Sequence, residues 1–451
     1  MVLSCLGALV ALADPTPPIM PQITETPLPP AVTLPAPDKA TKDVPNTPLT
    51  AAEAAQIALH HQPSIAIATA GLAAAQGLQT QAVSGLRPTI SVGASYTANP
   101  IIASGGGAQP AISASASVRQ LLFDFDHTRN LVRQTNAQTQ SASANLSRAQ
   151  SDLIFQTKQA FYQYAQNSRL IDINLANLRN QQSHLAMAQA RTKAGLGLPV
   201  DVVRAQTAVS DAIFNLNLSQ NTASVSKVLL TLLMGIDPRT PIQVADSSEP
   251  PIAADDVNVL VATALQQRPD LLQAQANVLS NQYGVSAAKT SNSPALVGSA
   301  GWGDRGDNFM PANFSLNYGV AIQWNAFDAG LTTGKVKTAQ ANLQSSQSQL
   351  DATRLSVMTD VAQAYLNLKT AEQRVVTSDA EIANAQEGVN LTQGRYNAGL
   401  GTFLDVLDAQ TALVNAQTNR VNALSAVNQA RAALAHAISA DALYLQQRGN
   451  K

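Results

Sequence analysis

Two carboxylates three residues apart, Asp405 and Asp408, stand in the stretch "NAGLGTFLDVLDAQTAL" that runs from Asn397 to Leu413. Residues at that spacing share one face of a helix, so the pair has the makings of an acid–base dyad, of part of a cation site, or of a charged ring if copies of the chain converge. Acid–base chemistry needs pocket loops and further polar groups, and none accompanies the pair. It also lacks a Gly-rich phosphate loop or a nucleophile elbow. The five histidines, His60, His61, His127, His184 and His436, are scattered along the chain, and Cys5 is the only cysteine. No metal site, no cofactor and no enzymatic activity is therefore expected. A plainer role for the two aspartates is that of first-turn carboxylates favouring a helix N-terminus.

A second copy of the stretch, "KAGLGLPVDVVRAQTAV" from Lys193 to Val209, aligns with the first at an offset of 204 residues. Asp201 and Arg204 occupy the positions of Asp405 and Asp408. The openings "ALHHQPSI" and "ALQQRPDL" also match, so the chain is a tandem duplication. Each repeat reads as a short helix, a proline (Pro63, Pro269), a medium helix, a second proline (Pro88, Pro294), two strands, a very long helix, a Gly-Leu-Gly turn and a return helix. The first repeat spans 49–245, with strands near 89–97 and 112–122, a long helix near 126–194 and a return helix near 200–234. The second spans 246–440, with strands near 295–303 and 314–324, a long helix near 328–397 and a return helix near 403–438, followed by a tail over 441–451.

The strands declare themselves by alternation. In "FSLNYGVAIQW", Phe314, Leu316, Tyr318, Val320, Ile322 and Trp324 point one way, and Ser315, Asn317, Gly319, Ala321 and Gln323 the other. Ile112 to Gln120 alternates in the same manner, and "TISVGASYT" from Thr89, with Tyr96 on its apolar face, pairs with it across a loop at Ser104 to Ala108. "ALVGSAGWG" from Ala295 is the weakest strand, and "DRGDNFMPAN" reads as its loop. Eleven extended residues reach about 36 Å, which at a tilt of about 45° covers the roughly 25 Å apolar band of an outer-membrane barrel. Tyr96, Phe314, Tyr318 and Trp324 suit a membrane interface. Four strands do not close a barrel alone, whereas three copies give twelve.

The first long helix carries neither Pro nor Gly from Asp126 to Lys193 and so spans about 100 Å. Tyr164, Ile171, Leu178 and Leu185 recur every seven residues, as do Val336, Leu343, Leu350 and Val357, which is the coiled-coil period. A rod-like periplasmic coiled-coil adaptor or scaffold accounts for these helices but leaves the strands at their ends without a purpose. No run of 18 or more apolar residues is present, so a membrane is crossed by strands or not at all.

Composition fits this arrangement. Charged residues are 13% and aromatics 4% of the 451 residues, and net charge is −1, which gives nucleic acid nothing to hold. "MVLSCLGALVALADP" reads as an export signal over 1–13, ending in Ala11-Leu12-Ala13. Lipidation at Cys5 is disfavoured, because the apolar run follows the cysteine when it should precede it. Residues 14–48 are a proline-dense tether, and Thr50 with Glu53 forms a capping box where order begins.

"ARTKAGLGLPVDVVRAQTAV" and "GRYNAGLGTFLDVLDAQTAL", together with the paired openings and the strand-to-helix junctions Phe125-Asp126 and Phe327-Asp328, resemble the TolC-like outer-membrane factors from Leu49 to about Ala440. The resemblance implies a mainly α fold with a membrane β-barrel: a homotrimer of twelve strands in outer-membrane lipid, continued by a long coiled α-helical barrel through the periplasm. It implies a passive exit duct for efflux or type I secretion. A periplasmic adaptor (membrane fusion) protein would dock at the tips Gly195, Leu196, Gly197, Gly399, Leu400 and Gly401, coupled to an inner-membrane pump of RND, ABC or MFS type. It further implies a periplasmic gate at Asp405, Asp408, Asp201, Arg204 and Tyr396. Where the family often carries an arginine before the acidic pair, this sequence has Gly401, and Arg204 stands as its substitute. The exported substrate is not readable from the chain.

Overall fold

A computed structural model describes residues 47–99, 109–252, 256–307 and 313–440. The leader, Cys5, nearly all of the tether, the loop at Ser104 to Ala108 and the tail over 441–451 lie outside the described residues. Eight helices and four strands are found among the described residues. In order they are α1 (Ala51–His61), α2 (Pro63–Ser84), β1 (Thr89–Asn99), β2 (Gln109–Phe123), α3 (His127–Lys193), α4 (Pro199–Met234), α5 (Val257–Gln267), α6 (Pro269–Thr290), β3 (Ala295–Asp307), β4 (Asn313–Gln323), α7 (Leu331–Asn397) and α8 (Phe403–Ala437).

Local chemistry sets most boundaries. Thr50 and Glu53 close the capping box of α1, and proline stands in the first turn of α2, α4 and α6, where its missing N–H costs nothing. The long helices start later than the sequence indicates, at His127 and Leu331, because the chain first passes through left-handed backbone at Phe125 (φ 54°), Asp126 (φ 63°), Ala329 (φ 50°) and Gly330 (φ 89°). The cap that ends this passage is Asp124, whose carboxylate accepts from Thr128 N at 2.8 Å, and Asp328 does the same for Thr332 N at 2.8 Å. The junctions equivalent in geometry are thus Phe123-Asp124 and Phe327-Asp328; the pairing of Phe125-Asp126 with Phe327-Asp328 is displaced by two residues.

The strands form one antiparallel sheet in the order β1-β2-β3-β4. Its register keeps the two faces distinct. Ile90 faces Val118, Val92 faces Ala116 and Tyr96 faces Ile112, while Ser91 faces Ser117 and Ser95 faces Ser113. Leu316 faces Trp302, Tyr318 faces Ala300 and Ile322 faces Leu296 on the same apolar side. Asp304 to Asp307, expected in the loop, extend β3 instead. Among the described residues, the outer edges of β1 and β4 pair with nothing.

Below the sheet, α6 lies between α3 and α7, while α2 packs mainly against α3. Accordingly α6 buries Leu271, Val278 and Val285, whereas α2 buries no residue. The lower parts of the long helices pack against the return helices, α3 with α4 and α7 with α8, and α3 also packs on α8. Two apolar clusters fix the middle of the molecule: Phe161, Leu230, Met234 and Leu49 in one repeat, and Val357, Val361, Leu434 and Leu260 in the other.

Candidate functional site

Both long helices end in the same αL turn. Gly195 (φ 72°) lets Leu196 N donate to Arg191 O at 2.8 Å, and Gly399 (φ 73°) lets Leu400 N donate to Arg395 O at 2.8 Å. Leu196 and Leu400, each 74% exposed, form the outermost points of the two turns. Gly197 and Gly401 sit on the helix ends beneath them: a Cβ there would lie 3.1 Å from Arg191 Cβ and 3.2 Å from Arg395 Cβ, respectively. The six turn residues are therefore two compact apolar knuckles.

The return helices start differently. Thr402 caps α8 and exchanges bonds with Asp405: Thr402 N donates to the Asp405 carboxylate at 2.9 Å, and Asp405 N donates to Thr402 Oγ1 at 3.2 Å. The Thr402 backbone and hydroxyl, aided by the Arg395 charge, hold the Asp405 carboxyl below the usual carboxylate range. Asp405 thus fills the plainer, helix-capping role as well as standing exposed at the tip. Asp408 and Arg204 are exposed and Asp201 is half-buried.

Tyr396 is 6% exposed and belongs to a cluster with Ala188, Ala205, Phe403 and Val406, into which Leu185, Val202 and Leu407 also pack. This cluster joins both hairpins of one chain. Burial raises the Tyr396 phenol above its ordinary value, with the nearby Asp201 charge adding to the rise and Arg191 opposing it. Asp201 and Tyr396 are therefore brought together, whereas Arg204 makes no contact with them that the geometry records. Sequence reasoning missed Arg191, His184 and Phe403. Arg191 stacks over the Tyr396 ring at 4.6 Å, and His184 meets Phe403 edge-on at 6.4 Å. The signal was available in the alignment of the two copies, which sets Tyr396 and Phe403 opposite Thr192 and Pro199.

At the other end the sheet leaves its apolar face bare: Val92 is 82%, Tyr96 61%, Phe314 70%, Tyr318 84% and Trp324 60% exposed. The opposite face is mainly serine, glycine and asparagine, with Arg119 Nη2 donating to Gln323 Oε1 at 3.0 Å. Among the described residues no helix is long and apolar enough to cross a membrane, and no cluster of His, Cys, Asp and Glu suits a metal ion.

Comparison with known proteins agrees with this geometry. The family described as "Outer membrane efflux protein" matches residues 54–236 and 260–440. The outer membrane efflux protein BepC of Brucella suis is 27% identical over 339 residues, covering 73% of each chain. The outer membrane protein TolC of Escherichia coli is 24% identical, covering 76% of this chain and 72% of its own. Among solved structures, the outer membrane protein VceC of Vibrio cholerae superposes with a TM-score of 0.76 at 22% identity, over 86% of this chain and 95% of that one. The MtrE outer membrane channel of Neisseria gonorrhoeae does so with 0.75 at 17%, over 86% and 88%. With the family match covering most of both repeats, the chain belongs to the outer membrane efflux protein family, a channel component of the outer membrane and neither an enzyme nor a periplasmic adaptor.

Proposed function

We propose that three copies of this chain close a twelve-stranded barrel in outer-membrane lipid and continue it as a helical duct whose narrow end is the tip at Gly195–Gly197 and Gly399–Gly401. The observation that carries the reading is the four-stranded sheet with two unpaired edges and a bare apolar face. Unpaired backbone groups in hydrocarbon are too costly to leave open, so the edges must meet other copies. A polar face of mostly small side chains, with Arg119 as a charge among them, then becomes a wet lumen that retains few solutes.

At the tip, the exposed knuckles Leu196 and Leu400 offer apolar points to a periplasmic adaptor coupled to an inner-membrane pump. Asp405 and Asp408 of three chains bring six carboxylates toward the axis. Such rings favour cations. Because capping depresses Asp405, its charge persists through neutral pH and well below it.

The test is electrical. Detergent-extracted protein should run as a heat-resistant trimer and give single-channel currents that select cations. Asp408→Asn, which leaves the Thr402 cap intact, should lower the cation-to-anion permeability ratio several-fold. A soluble monomer without currents would overturn the duct, and an unchanged ratio would remove the acidic gate alone.

A further inference from the structure

Charge is unevenly spread along the helices beneath the sheet. Residues 64–84 of α2, 134–147 of α3, 271–288 of α6 and 338–350 of α7 carry no Asp, Glu, Lys or Arg. Immediately above these neutral stretches, where the helices meet the strands, stand Arg87, Arg129, Arg133, Lys289, Lys335 and Lys337, all of them exposed. The carboxylates at this level are Asp124, Asp126 and Asp328. Asp124 and Asp328 are committed to Thr128 N and Thr332 N at 2.8 Å, and Asp126 pairs with Arg129 at 3.0 Å. The six cations therefore exceed the carboxylates by three in every chain.

The position of this charge along and around the wall can be read from the helices. Arg129 and Arg133 precede Ile154 and Lys158 by 25 residues, or seven turns, so the four share one side of α3. Ile154 and Lys158 face α1 across a cavity that Ala55 and Leu59 also line. In the barrel and duct proposed above, on which this inference rests, a second layer such as α1 must lie outside the wall, since inside it would fill the bore. Arg129 and Arg133 thus face outward, and Lys337, the counterpart of Arg133 at the offset of 204, does the same. Directly above them Phe123, Phe125, Trp324 and Phe327 are exposed, as an aromatic belt at the edge of hydrocarbon would be. Arg133 and Lys337 are each the seventh residue of their helices, about 9 Å below the helix start. Headgroups extend about 5–8 Å beyond the hydrocarbon, and long basic side chains bend their charge toward them.

From this placement we propose that the chain carries a basic collar that binds the phosphodiester headgroups of anionic phospholipids in the periplasmic leaflet, with Arg133 and Lys337 as its principal contacts. Guanidinium and ammonium groups donate to phosphate oxygens, and an anionic headgroup brings no cation of its own to oppose them. The far end of the sheet has no such excess, because Arg305 stands there between Asp304 and Asp307 at the end of β3. Selection of lipid is therefore confined to one end of the barrel, where it fixes the depth at which the helices leave the membrane.

Trp302 and Trp324, the only tryptophans, lie toward opposite ends of the apolar face and report on the two ends separately. Trimers carrying Trp302→Phe are reconstituted in vesicles of phosphatidylcholine with a minor share of phosphatidylglycerol. Bromine, which quenches an indole it touches, is placed on the acyl chains of one lipid or of the other. A basic residue at an anionic surface is worth about a five-fold preference, so brominated phosphatidylglycerol should quench Trp324 as though enriched several-fold over its mole fraction. Raised salt should remove the excess. In the same background, Arg133→Gln/Lys337→Gln should lose most of the excess, with the heat-resistant band confirming that the trimer still assembles. In Trp324→Phe, Trp302 should be quenched in proportion to mole fraction. If Trp324 shows no excess, if the double variant keeps it, or if Trp302 shows it equally, the collar does not select lipid; quenching by brominated phosphatidylcholine then still leaves the barrel standing. If neither brominated lipid quenches either tryptophan, the sheet does not meet lipid, and the barrel reading fails and takes the collar with it.

Discussion

Lys158, Glu249 and Tyr162 show how a single group is held where water is scarce. Lys158 Nζ lies 2.6 Å from Glu249 Oε1, Tyr162 Oη donates to Glu249 Oε2 at 2.8 Å, and the two charged side chains are 12% and 9% exposed. Burial, and after it the Glu249 charge, raises the Tyr162 phenol out of the titrating range, so it stays a donor at any working pH. The Glu249 main chain is held too: its N–H donates to Asn428 Oδ1 at 3.1 Å and its carbonyl accepts from Arg431 at 3.1 Å. Removing one member of a buried pair leaves the other uncompensated, at about 3–5 kcal/mol. Lys158→Met should therefore lower the melting temperature of the detergent-solubilised protein markedly. Lys158→Met/Glu249→Gln, which keeps an acceptor for Tyr162 and removes the orphaned charge, should recover most of the loss; a double variant as labile as the single one would show that packing of the lysine stem is what matters. None of this was legible in the sequence, because Glu249 sits in a proline-flanked linker 91 residues from Lys158 and no local pattern connects them. Asp405 was legible in part: its place three residues after Thr402 marked a first-turn carboxylate, while the reciprocal bonds to Thr402 needed coordinates.

Elements were easier to read than junctions. The alternation in β4 and the absence of Pro and Gly over sixty-seven residues of α3 are long, redundant signals, and no competing structure satisfies them. The turn from β2 into α3 carries Phe-Asp twice in succession, at 123–124 and 125–126, so the sequence offers two registers and only the hydrogen bond from Thr128 N to Asp124 chooses between them. Glycines behave in the same manner: several share left-handed backbone, yet their surroundings differ. Gly235 (φ 68°) ends α4 against the end of α1, and a Cβ there would lie 2.7 Å from His61 O and 2.8 Å from His61 C. Gly399 (φ 73°) has nothing within 4 Å. Alanine at Gly399 should thus incur only the left-handed penalty of about 1–2 kcal/mol. Gly235→Ala bears the same penalty and must also displace backbone that Gln62 Nε2 ties to Leu232 O at 3.2 Å. Comparing the two variants by denaturant midpoint should place Gly235→Ala clearly below Gly399→Ala. Equal midpoints would mean that α1 shifts freely on α4.

At the scale of the whole molecule, the proposed trimer rests on arithmetic already in the sequence, four strands being too few, but the sequence could not say where along the sheet lipid would lie. On the proposed barrel, the register gives a position. Asp304 shares the apolar side, facing Phe314 on one neighbour and Ala114 on the other. From it the pairs Trp302 with Leu316, Ala300 with Tyr318, Gly298 with Val320 and Leu296 with Ile322 run toward Trp324, whose Nε1 donates to Asn292 O at 3.1 Å. We propose that an acidic group and an anchored indole mark the two limits of this band, a reading that would put Tyr318, expected at an interface, within it. Its neighbour Asn317 points to the other face, opposite Gly301, where there is room for a longer side chain and water to solvate it. A cation at mid-band on the lipid side of a barrel costs about 2–4 kcal/mol, and on the lumen side little. Tyr318→Arg should therefore shift the urea midpoint for folding into lipid vesicles downward and deplete the heat-resistant trimer. Asn317→Arg, one residue away, should fold as the wild type does and raise the relative permeability of anions, because three further guanidinium groups then join those of Arg119 on the lumen side. The two outcomes exchange places if the faces have been assigned the wrong way round. If both variants fold and conduct unchanged, the sheet does not meet lipid at all, and the barrel must be sought elsewhere in the chain.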